Sequence, residues 1–199
     1  MRYSILGKTL LKKEIESLTN LMNELGDSFD GTCKMISDCP GKIIFTGLGK
    51  SGHVAKKCAA TFSSLGIPSF FIHSTEALHG DLGMVSKDDI LFAFSFSGET
   101  NEVVRMISAL SIRNIPIITM TGNPQSTMGK KCSIHLDIHV NEEADHLNCA
   151  PTASTTNMIA LGDAIASAIS QNAHFTKHDF YQYHPGGSLG EELEKNNER

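Results

Sequence analysis

Five short apolar runs, at Ile43–Thr46, Ser69–Ile72, Ile90–Phe94, Ile117–Met120 and Ile134–Ile138, recur along the chain with helix-like or loop segments between them. Runs this short and this apolar read as strands covered on both faces. Strands of that kind, separated by a dozen or more residues, read as parallel neighbours joined by helical crossovers. The helix-like stretches are Gly52–Leu65, Asn101–Arg113 and Ser126–Lys131. The expected fold is α/β: a three-layer α/β/α sandwich around a five-stranded parallel sheet, in one domain over residues 1–199. Ligands of such a sheet lie at the carboxyl ends of its strands.

Two of the runs empty into glycine- and serine-rich loops, KIIFTGLGKSGH at 42–53 and ILFAFSFSGET at 90–100. Glycines allow a tight turn, and the helix that follows directs free N–H groups and its positive dipole end at an anion. Two such loops predict two cradles for one phosphate ester. Gly49, Ser51, Ser95, Ser97 and Thr100, with the backbone N–H groups of Phe96 and Gly98, are the expected contacts.

Gly47, Gly49 and Gly52 also spell the G-x-G-x-x-G of dinucleotide folds, with Glu76 near the distance of a ribose-binding acid. The second loop argues against that reading, because its hydroxyls and amides suit a compact phosphomonoester. Gly49-Lys50-Ser51 resembles the end of a P-loop, but the required first glycine falls on Ile44, which disfavours nucleotide hydrolysis.

Leu10, Leu11, Ile15, Leu18, Leu21, Met22 and Leu25 recur at steps of three and four, predicting an N-terminal helix within residues 1–30 that ends near Gly26. Thr155–Ile169 reads as a second long helix, apolar over most of its circumference and partly buried against another subunit. The polar 193–199 tail is expected to fray. A net charge of −5 opposes a nucleic-acid backbone binder. Five scattered cysteines without a C-x-x-C pair suggest neither a disulfide framework nor structural zinc. No signal peptide and no run long enough to span a membrane is found, so a soluble cytoplasmic protein is expected.

GLGKSGH at 47–53, AATFSSLGIPSFFIHSTEALHGDLGMV at 59–85, SFSGET at 95–100, APTASTTNMIALGDA at 150–164 and HPGGSLG at 184–190 together resemble the sugar isomerase (SIS) domain of D-arabinose 5-phosphate isomerases. The resemblance runs over nearly the whole chain and implies a flavodoxin-like fold. The implied activity interconverts D-ribulose 5-phosphate and D-arabinose 5-phosphate, supplying the eight-carbon acid Kdo of lipopolysaccharide and some capsules. Many members append two CBS domains; these 199 residues resemble the short, single-domain type.

Such an interconversion needs a base that moves a proton between C1 and C2 through a cis-enediolate, and groups that handle charge on the oxygens. Four positions match the family's catalytic set: Lys50, Glu102, Glu143 and His184. Lys50 would stabilise the enediolate or meet the phosphate. Glu102 opens the helix after the second loop, where it also reads as a structural cap. Glu143 is the preferred C1/C2 base, with Glu142 a competing carboxylate. His184, on a Pro-Gly-Gly turn, would open the sugar ring or shuttle a proton, and the resemblance implies that it reaches a neighbouring subunit's site. The implied assembly is a homo-oligomer, a tetramer, with sites at subunit interfaces. Thr152, Ser154 and Thr155 would face the sugar or cap a helix.

The sequence departs from its relatives beside the base. The related pattern reads roughly E-A-C-P-L-G-L-A-P-T, whereas Glu143 is followed here by Ala144, Asp145, His146, Leu147, Asn148, Cys149, Ala150, Pro151 and Thr152. An added Asp and His beside the base bear on its protonation and on substrate choice. His73, Glu76, His79 and Asp81, and the alternating His135, Asp137 and His139, have metal-like spacing, but the resemblance places His79 in the sugar site. No metal requirement and no cofactor is expected; His79 is the candidate for an inhibitory metal. Feedback by the end product, an activated Kdo such as CMP-Kdo, is a further expectation. The competing readings are a different phosphosugar isomerase and a sugar-phosphate-binding regulatory domain.

Overall fold

The computed structural model describes residues 2–185, so the 193–199 tail and most of HPGGSLG lie outside the described residues. Strands β1 (Ile43–Gly47), β2 (Ser69–Phe71), β3 (Ile90–Phe94), β4 (Ile117–Thr121) and β5 (Ile134–Asp137) form one sheet, paired in parallel in the order β2-β1-β3-β4-β5. Each lies within a residue or so of its apolar run.

The sheet is covered on both faces because its side chains alternate between two cores. Ile43 and Phe45 of β1, Ile90, Phe92 and Phe94 of β3, and Ile118 and Met120 of β4 enter one core. It is closed by α1 (Tyr3–Asn23), α2 (Asp27–Ser37), α3 (Gly49–Ser64) and α7 (Ala153–Asn172). Ile44, Leu91, Ala93 and Ile117 point the other way, toward α4 (Ser74–Ala77), α5 (Asn101–Ile112) and α6 (Thr127–Lys130). Phe45 anchors the first core, with edge-on Phe62 at 4.9 Å and tilted Phe92 at 5.3 Å between ring centroids. A last helix, α8 (Lys177–Tyr183), closes the described chain behind a capping box of Thr176 and Asp179.

The N-terminal helix expected to end near Gly26 is α1, which ends at Asn23, and an unanticipated second helix, α2, follows from Asp27 to Ser37. Gly26 caps the second, and Asp27 and Asp30 fall in its first turn with Lys34 in its last, the charge order that a helix dipole favours. Gly31, Thr32 and Cys33 are weak helix formers, which hides α2 from a propensity reading; burial of Thr32 and Ile36 under the sheet holds it.

Within the chain α7 is buried by α1, α2 and α3. Its close approach to α3 requires Gly162, where a Cβ would lie 2.5 Å from Cys58 Sγ. All five cysteines are free, and burial pushes the Cys58 thiol up to about 12. Among the described residues no helix is long and apolar enough to cross a membrane.

The strand order places a topological switch between β1 and β3, whose connections leave toward opposite sides of the sheet. Gly47 and Phe94, the last residues of these strands, are register partners. The two glycine- and serine-rich loops therefore start side by side.

Candidate active site

The first loop is shaped by close backbone approach. A Cβ on Gly52 would lie 2.8 Å from the Gly47 carbonyl oxygen, and one on Gly47 would lie 3.0 Å from that of Phe94. This contact accounts for the G-x-G-x-x-G spacing without a dinucleotide. Gly49 takes φ +57° at the start of α3, followed by exposed Lys50 and half-buried Ser51.

The second loop is a hydroxyl knot. Ser95 Oγ lies 2.9 Å from Thr100 Oγ1 and 3.5 Å from Ser97 Oγ, and it accepts the Gly98 N–H at 3.2 Å. Ser97 Oγ accepts the Glu99 N–H at 3.2 Å. Gly98 has φ +67°, and a Cβ there would fall 2.1 Å from Ser126 Oγ. Two bonds rivet the loop to α6: the Gly98 carbonyl accepts the Met128 N–H at 3.1 Å, and the Glu99 carboxylate accepts that of Thr127 at 2.7 Å. The Thr127 bonds hold the Glu99 carboxyl below its usual range. The Phe96 carbonyl accepts the Gly122 N–H at 2.8 Å.

Neither helix that leaves these loops has a side-chain cap from its own N-cap residue, Leu48 before α3 or Thr100 before α5. The Thr100 hydroxyl turns to Ser95 instead. Short α4, α6 and α8, by contrast, are capped by His73, Ser126 and Thr176. Uncapped first-turn amides are orphan donors, and two sets on adjacent strand ends suit a tetrahedral dianion. Glu102 lies in the first turn of α5, half-buried and without a hydrogen bond or ion pair among the described residues.

A third helix start completes the group. Phe96 of the second loop packs against Val140, Ala144 and Ala153, which brings the start of α7 and the 143–152 segment beside that loop. The α7 terminus is already occupied. Glu143, 8% exposed, accepts the N–H groups of Thr152 at 2.8 Å and Ser154 at 3.2 Å on Oε2, with the Thr152 hydroxyl at 3.3 Å. Its Oε1 accepts a short bond from the Ser154 hydroxyl. Thr152 and Ser154 thus serve Glu143, and the cap of α7 is a carboxylate from upstream of it.

His184 is elsewhere. Its Nδ1–H donates to the Phe180 carbonyl at 2.8 Å, its Nε2 accepts the Ser64 hydroxyl at 3.2 Å, and its ring stacks on Phe180 at 3.9 Å between centroids. Ser64 ends α3 and Lys50 begins it, so at 1.5 Å per residue about 20 Å of helix separates them. Lys50, Glu102 and Glu143 are brought to one end of the sheet, and His184 lies at the other. His79 is exposed on the segment after α4, beyond the end of β2 beside β1. Among the described residues no three His, Cys, Asp or Glu side chains gather to hold a metal. A cavity of about 600 Å³ opens between α1 and the 139–148 segment, lined in part by Lys13, Asn20, Glu142 and Asn148, away from the serine loops.

The model of the SIS domain family matches residues 35–168, which include both serine loops, Glu143 and most of α7. The chain belongs to the SIS domain family. Among its curated relatives is the arabinose 5-phosphate isomerase KdsD of Yersinia pestis, 48% identical over 187 residues, 94% of this chain and 57% of that protein. The KdsD of Pseudomonas aeruginosa is 46% identical over 90% of this chain and 55% of its own length. The chain thus spans a little over half the length of these relatives. A solved structure, c3406 of E. coli CFT073 in complex with arabinose 5-phosphate, superposes with a TM-score of 0.89 at 40% identity and covers 92% of this chain and 97% of that one.

Within this SIS domain the sequence reading missed the lock on the 143–152 segment. Asp145 accepts N–H groups from Leu147 at 2.9 Å, and from Cys149 and Ala150 at 2.8 Å each. Desolvation pushes the Asp145 carboxyl up, but these three bonds and nearby His146 outweigh it and leave the group below its usual range. An Asp two residues before a turn amide is the local signal that was available.

Proposed function

We propose that this SIS domain is an aldose–ketose isomerase acting in the cytoplasm on D-ribulose 5-phosphate and D-arabinose 5-phosphate, in the supply of Kdo for lipopolysaccharide or capsule. The observation that carries the reading is the pair of uncapped helix starts beside the Ser95–Ser97–Thr100 cluster, level with Lys50 and Glu102. This is a phosphate anchor with titratable groups around it, in a chain 40% identical to a protein solved with arabinose 5-phosphate.

The phosphate sits on the α3 and α5 amides and the serine hydroxyls. Glu143 removes a proton from C1 of the ketose and returns it to C2, and Lys50 stabilises negative charge on the enediolate oxygens. Of the donors on Glu143, the Ser154 hydroxyl is free to turn away and leave Oε1 open to the substrate. Glu102, with no competing partner among the described residues, relays protons between O1 and O2. His184 acts in the site of a second copy. An exposed apolar stripe of Leu11, Ile15 and Met22 on α1, continued by Leu25 just past its C-terminus, supports a homo-oligomer, a tetramer by the family resemblance.

The test is incubation of metal-stripped protein with D-ribulose 5-phosphate, followed by NMR for D-arabinose 5-phosphate. Appearance of the aldose is expected. Retained ketose binding without product would move the reading to another phosphosugar or to a regulatory domain. Adding CMP-Kdo to the same assay tests feedback, and an unchanged rate removes it. Ser97→Ala removes one hydroxyl from the cradle and leaves the reacting carbons alone. It is expected to raise KM about tenfold or more with kcat within a factor of about two, because the lost bond binds ground and transition states alike.

A further inference from the structure

Ten residues, 143–152, connect the base candidate to the helix that it caps, and their hydrogen bonds close on themselves. Asp145 gathers the N–H groups of Leu147, Cys149 and Ala150 onto one carboxylate, which fixes a tight turn. At the apex of that turn Asn148 takes φ +53°, the left-handed region that asparagine tolerates better than most residues. From there its side-chain oxygen accepts the backbone N–H of Glu143 at 2.6 Å. On the other side the Thr152 hydroxyl oxygen accepts the N–H of Ala144 at 2.8 Å. Glu143 is thus held at its amide by Asn148 and at its carboxylate by the α7 terminus.

We propose that Asp145 and Asn148 form a bracket that positions Glu143, Asp145 by setting the turn and Asn148 by binding the Glu143 amide. The kinetic side of this proposal rests on the isomerase reading above; the geometric side does not. A base that must release one hydroxyl donor and still aim at two adjacent carbons needs its main chain fixed while its side chain changes partners. A glycine at the position of Asn148 would allow the same backbone angle without the side-chain bond. This chain therefore ties down its base by a contact that a glycine there does not supply.

Asn148→Gly separates the two functions, since glycine keeps the left-handed turn and deletes the acceptor. The measurements are amide hydrogen exchange at Glu143, and kcat and KM with D-ribulose 5-phosphate. Exchange at the Glu143 amide is expected to rise at least about tenfold, and kcat to fall roughly tenfold to a hundredfold with KM little changed. Asn148→Asp, which keeps both the backbone angle and an acceptor oxygen, is expected to restore amide protection and most of kcat. Unchanged exchange in Asn148→Gly overturns the bracket, as does faster exchange with unchanged kcat. If the wild-type protein makes no aldose, the isomerase reading fails, and the exchange measurement alone upholds or overturns the bracket.

Discussion

Glu143→Gln is expected to lower kcat about a thousandfold while leaving Tm within about 3 °C of wild type, because a positioned general base contributes 10²- to 10⁴-fold. The substitution is chosen from the geometry. One carboxylate oxygen faces the Thr152 and Ser154 N–H groups, and the other faces the Ser154 hydroxyl. A glutamine keeps its oxygen on the two N–H groups and turns its NH₂ to the Ser154 hydroxyl, which then accepts. The cap survives and the base is gone. Glu143→Ala removes both. Losing charge-assisted bonds at a buried helix start costs about 3 kcal/mol, or roughly 6–12 °C in Tm for a chain of this length. Activity lost only in the alanine variant would make Glu143 a cap and not a base. Glu102 would then take the proton, and Glu102→Gln would show the larger kinetic loss.

The parts of this fold that could be read from the chain are those whose cause is local. The central strands β1, β3 and β4 announced themselves because both of their faces are buried, as Ile44 and Phe45 show by entering opposite cores. The two glycine- and serine-rich loops at adjacent strand ends were legible for a similar reason, since glycines, hydroxyls and a following helix are neighbours in sequence. Helix α2 was not, because tertiary burial of Ile36 outweighs the poor propensity of Gly31, Thr32 and Cys33. The cap on α7 was hidden for a different reason. An N-cap is sought at the helix start or three residues into it, whereas Glu143 reaches Thr152 and Ser154 across a loop that must first be folded by Asp145 and Asn148. Asp145 and His146 looked like titratable additions to the base's surroundings. In the structure the Asp145 carboxylate is spent on backbone amides and shapes the loop.

Mixing two inactive variants, Glu143→Gln and His184→Ala, is expected to restore activity that neither has alone. Within one chain His184 lies about 20 Å of helix away from Lys50, stacked on Phe180 and bonded to Ser64, so its own site does not contain it. If it acts in a second copy, a mixed pair holds one site with an intact Glu143 and a His184 supplied by the other chain. Random exchange makes about half of the pairs mixed, each with one working site of two, so recovery should approach roughly a quarter of wild type. The α1 stripe gives the matching loss. Ile15 and Met22, each 62% exposed, lie seven residues apart and so on one side of the helix, flanked by Leu11 and Leu25. A carboxylate at each position would have to be desolvated in an interface at a cost of several kcal/mol. Ile15→Glu combined with Met22→Glu should therefore elute as a monomer with its fold intact and lose at least about a hundredfold in kcat, the contribution of a proton-transfer group. Full activity in that monomer, or no recovery in the mixture, would return His184 to a structural role at the end of α8.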